Sequence, residues 1–82
     1  MTDFDKMHHE LQYAVNRVIY HAPNGKFTID ELIAMLKNEL PNGVTNGDFF
    51  YATELLKGTV CRLVLSDSIR KIDDVYYIIK ES

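Results

Sequence analysis

The stretch Leu63-Val64-Leu65-Ser66-Asp67-Ser68-Ile69-Arg70-Lys71-Ile72-Asp73-Asp74-Val75-Tyr76-Tyr77-Ile78 changes its period partway along. Up to Leu65 it continues an apolar pattern at helical spacing. From Ile69 onward β-branched and aromatic residues dominate, interrupted by Asp73-Asp74, a two-residue turn. A helix end is therefore expected to run into a tight hairpin. Its strands are Ile69–Ile72 and Val75–Ile79. An isolated hairpin is marginal in water, so this one must pack on the rest of the chain. The short stretch Lys26-Phe27-Thr28 is a candidate third, minimal strand at its edge.

Upstream, the spacing predicts a helix from Asp48 to about Ser66, with Thr45 or Asn46 near its cap. Phe49, Ala52, Leu56, Val60, Leu63 and Val64 form its inward stripe. Gly58 in the middle costs about 1 kcal/mol relative to Ala, and one continuous helix is expected through it. The preceding helix has the clearest start signal, because Thr28-Ile29-Asp30-Glu31 is a capping box. Its apolar face is Ile29, Leu32, Ile33, Leu36 and Leu40, and Pro41-Asn42-Gly43 ends it. A first helix is expected from Phe4 to Tyr20, capped by Thr2 or Asp3. Its face is Phe4, Met7, Leu11, Ala14, Val15 and Val18, and Pro23-Asn24-Gly25 stops it.

Eighty-two residues make one domain, 1–82, with one modest core. The composition, 46% apolar and 26% charged, is that of a folded chain rather than a disordered one. Nine basic and twelve acidic residues give a net charge of −3, so composition offers no general attraction for nucleic acid. Cys61 is the single cysteine, which excludes an internal disulfide framework. Neither a secretory leader nor an apolar run of about 18 residues occurs, and a cytoplasmic location is expected.

The order helix, short extended piece, capped helix, helix, hairpin resembles the winged-helix variant of the helix-turn-helix fold. Phe27-Thr28-Ile29-Asp30-Glu31-Leu32-Ile33 look like that family's short strand and second helix, and Leu63 to Ile78 like its third-helix end and wing. The resemblance implies an α+β fold of three helices with a C-terminal two-stranded hairpin. It also implies binding of double-stranded DNA by the third helix and the wing.

The chain is expected to bind rather than catalyse: first as a DNA-binding transcriptional regulator, with a protein-interaction module as the alternative. For DNA, the candidate contacts are Thr45, Asn46, Lys57, Arg62, Arg70 and Lys71, a modest basic strip. Glu54 and the acidic wing turn Asp73-Asp74 oppose phosphate. For a protein target, the candidate surface is Tyr51, Cys61, Leu65 and Tyr76, which suits a small adaptor or inhibitor of the kind a phage or mobile element encodes, or a homodimer seam. Catalysis, a metal and a cofactor are not expected. His8 and His9 diverge by about 100° on a helix, and His21 suits the helix end. No carboxylate, His or Cys cluster has ligand spacing, and Cys61 lacks a His partner in sequence.

Overall fold

The computed structural model describes residues 3–40 and 44–79. Helix α1 spans Asp3–Tyr20 and leads through a single 3-10 turn, Pro23–Gly25, into strand β1, Lys26–Phe27. Helix α2 spans Ile29–Glu39, α3 spans Asn46–Leu65, and the hairpin is β2, Ile69–Ile72, with β3, Val75–Ile78. This is an α+β layout of three helices and a three-stranded antiparallel sheet, compatible with a winged helix. The expected stop at Pro41-Asn42-Gly43 and the expected cap at Thr2 lie outside the described residues.

The start of α2 and both ends of α3 have local chemical causes. At α2 the Thr28 hydroxyl accepts from the Glu31 N–H at 3.2 Å, and the Thr28 N–H donates to the Glu31 carboxylate at 3.0 Å. The same reciprocal pair recurs at α3, where the Thr45 hydroxyl accepts from Asp48 N–H at 3.1 Å and Thr45 N–H donates to the Asp48 carboxylate at 3.2 Å. Each pair satisfies two backbone donors that a helix start leaves orphaned. Thr28→Ala and Thr45→Ala are each expected to lower the unfolding free energy by about 1 kcal/mol, read as a shifted urea midpoint at constant slope. The helix therefore begins at Asn46, two residues earlier than its apolar pattern predicts.

At the other end α3 closes in a Schellman arrangement. Ser68 N–H donates to Leu63 C=O at 2.9 Å and Asp67 N–H to Val64 C=O at 3.1 Å. Asp67 takes the left-handed conformation this requires, with φ of 63°. Asp adopts that region more readily than most residues, though less readily than Gly. Asp73 in the hairpin turn is also left-handed, with φ of 55°. Gly58 does not interrupt α3, which is one helix of 20 residues.

The sheet order is β1-β3-β2, so the last strand is the central one. Phe27 pairs with Tyr76 and Lys26 with Tyr77, while Arg70 pairs with Tyr77 and Lys71 with Tyr76. Phe27 is buried and stacks on Tyr76 with ring centroids 5.4 Å apart and planes 8° from parallel. The core joins Leu11, Val15, Val18 and Ile19 of α1, Leu32 and Leu36 of α2, Ala52, Leu56 and Val60 of α3, with Phe27 and Ile69 of the sheet. Ile19 and the buried Thr59, whose hydroxyl accepts from Gln12 at 3.3 Å, extend the expected stripes. Met7, placed on the inward face by its spacing, is 39% exposed. No helix among the described residues is long and apolar enough to cross a membrane.

Candidate functional site: the outward face of the third helix

Helix α3 packs Ala52, Leu56 and Val60 inward, which fixes what faces away. Phe50, Glu54, Lys57, Gly58, Cys61, Arg62 and Leu65 are all exposed. Leu65 is 80% and Phe50 68% exposed, the highest values among the large apolar side chains described. Sequence spacing identified Leu65 and missed Phe50. The signal was present in the pair Phe49-Phe50: neighbours on a helix diverge by about 100°, so both cannot face the core.

The expected basic strip is not contiguous. Lys57 Nζ lies 3.8 Å from the Glu54 carboxylate on the same helix, an exposed pair in which each charge largely offsets the other's field. Arg70 and Lys71 are neighbours on β2, and side chains alternate across a strand. Arg70 therefore shares the outer sheet face with Tyr77, whereas Lys71 lies on the helix side, its Nζ 5.7 Å from the Tyr76 ring centroid. Arg62 sits in the last turn of α3, where a cation complements the helix dipole. Asn46 is exposed, and Thr45 Oγ1 is engaged in its cap. That cap also places the Asp48 carboxylate at the N-terminus of α3, the end that would otherwise receive phosphate.

The candidates for a protein contact also separate. Cys61 and Leu65 are exposed on the outward ridge. Tyr51 is half-buried and turned toward α1, its hydroxyl hydrogen-bonded to His8 Nδ1 at 2.8 Å. Tyr76 is half-buried over Phe27. It lines a groove of about 370 Å³ between α3, the start of α2 and the hairpin. Val60 is the buried part of that groove, Ile29 and Val64 are half-buried, and Lys57, Cys61 and Lys71 are exposed along it. Ile29, Lys71 and Tyr76 also line a second depression of about 370 Å³, which carries Asp30 and Asp74. The field around Lys71 is therefore mixed rather than basic.

Reactive groups are dispersed. Among the described residues no three His, Cys, Asp or Glu side chains come together as a metal would need. His8 engages Tyr51, and the His9 ring lies edge-on to it with centroids 6.1 Å apart. His21 donates through Nδ1 to the Arg17 carbonyl at 2.8 Å, a contact with the last turn of α1. Comparison of the chain with family models, with curated proteins and with solved structures gave no match.

Proposed function

We propose that this chain is a non-catalytic protein-interaction module of winged-helix type, binding through the outward face of α3 and the adjoining hairpin. The element order and the β1-β3-β2 sheet support the winged-helix assignment. One observation carries the interaction assignment: Phe50 and Leu65 stand exposed on a ridge whose central charges, Glu54 and Lys57, compensate each other. Exposed aromatic and aliphatic anchors with little net charge are the composition of a protein contact. A duplex reader needs the reverse, several unneutralised cations and amide or hydroxyl groups on the helix that enters the groove.

Cys61, the single cysteine, is exposed on this ridge and offers the attachment point for a maleimide–benzophenone crosslinker. Irradiated with an extract of the cells that make the protein, the labelled chain is expected to give discrete protein adducts that disappear in Leu65→Asp. Titration against a mixed duplex of about 20 base pairs at about 25 mM salt tests the DNA alternative. Saturable binding that falls steeply with salt, and is lost on reversing Arg62 and Lys71, would replace the protein assignment with a DNA-binding regulator.

A further inference from the structure

The middle of α3 holds a residue that the single chain does not need. Gly58 is exposed and lacks the positive φ that would call for glycine. A Cβ built there meets nothing within 4 Å. Alanine would fit and would stabilise the helix by about 1 kcal/mol. No turn, close packing or backbone strain inside the chain explains the glycine. What glycine provides on an exposed helix is a notch, where another backbone approaches closely.

The ridge around the notch matches itself. Phe50 and Leu65 lie equally far on either side of the Lys57–Gly58 step, each about 11 Å away at 1.5 Å per residue. We propose that α3 pairs antiparallel with α3 of a second copy, on a two-fold axis through the Lys57–Gly58 step. Phe50 of each copy then meets Leu65 of the other, an isologous contact. Glu54 of each copy comes within about one helical turn of Lys57 of the other, so the pair that is internal at 3.8 Å has an equivalent partner across the axis. Apart from Arg62 in the last turn, the ridge thus offers balanced charge and symmetric apolar ends, which suit a second copy better than a strongly acidic or strongly basic partner. The inference rests on the interaction reading of α3 and names the partner.

Sedimentation velocity from about 10 to about 500 µM covers the affinity range of such a helix pair. Wild type is expected to pass from monomer to dimer. Gly58→Leu, whose side chain enters open space in the monomer, is expected to weaken dimerisation at least about tenfold while leaving the thermal midpoint of the monomer unchanged or higher. Gly58→Cys in a Cys61→Ser background is expected to form a disulfide-linked dimer under mild oxidation, because position 58 lies beside the axis. A wild type that stays monomeric throughout, or a Gly58→Leu variant that dimerises like wild type, overturns the proposal. Monomeric wild type whose Cys61 adducts still vanish in Leu65→Asp overturns the dimer alone. Monomeric wild type without such adducts overturns the interaction reading as well.

Discussion

Phe27→Ala is expected to lower the unfolding free energy by about 3–5 kcal/mol, the largest single-site loss in the chain. A domain of this length has a total stability of roughly 4–12 kcal/mol, so the variant lies at or near the folding threshold. The size of the effect follows from position. Phe27 is 2% exposed and stacks on Tyr76, and β1, on which it sits, has only two residues. It is therefore both core volume and the anchor that seats the hairpin against α2, one residue before the Thr28 cap. Urea unfolding followed by circular dichroism measures the loss. A cost under about 1 kcal/mol would mean that Tyr76 swings into the space, and that the ring stack contributes little beyond its area.

Leu56→Ala and Leu65→Ala form the second large contrast, because they change the same residue type nine positions apart on one helix. Leu56 is fully buried in the core, and its truncation is expected to cost about 2–5 kcal/mol. Leu65 is 80% exposed, and its truncation is expected to move stability by less than about 0.5 kcal/mol. The association readout inverts the order: Leu65→Ala weakens binding, whereas a folded remnant of Leu56→Ala binds like wild type. Equal stability losses at the two positions would place Leu65 inside the core and remove the ridge.

Much of the fold was legible because local chemistry and global packing agree. The Thr28–Glu31 box starts a helix where it was expected, and the period change after Leu65 marks a hairpin with Asp73-Asp74 at its turn. The short strand at Phe27 was legible as an edge partner, though not which hairpin strand it joins. Thr45 was legible near the cap of α3, but its closure as a box by Asp48 was not, because Asp at the third position is a less familiar signature than Glu. Helical phase on α3 was the harder problem. Apolar residues occur on most of its circumference, so Tyr51, read from spacing as outward, packs half-buried against the core, and Phe50, given no role by spacing, stands exposed. For the site, Arg70 and Lys71 read as one basic strip when taken as sequence neighbours. A strand of period two sends them to opposite faces, which follows from the strand's pleat alone.

The central position of β3 sets the order in which this sheet can assemble. β1 and β2 do not pair with each other; each pairs with Val75–Ile78. β1 therefore waits for a partner roughly fifty residues further along, a long loop to close compared with the two-residue hairpin turn. Chain synthesis delivers all three helices before the strand that joins the sheet's two edges. A nascent chain arrested before Val75 would hold its helices with Phe27 uncovered by Tyr76. It would be a substrate for proteases and chaperones until the final strand arrived.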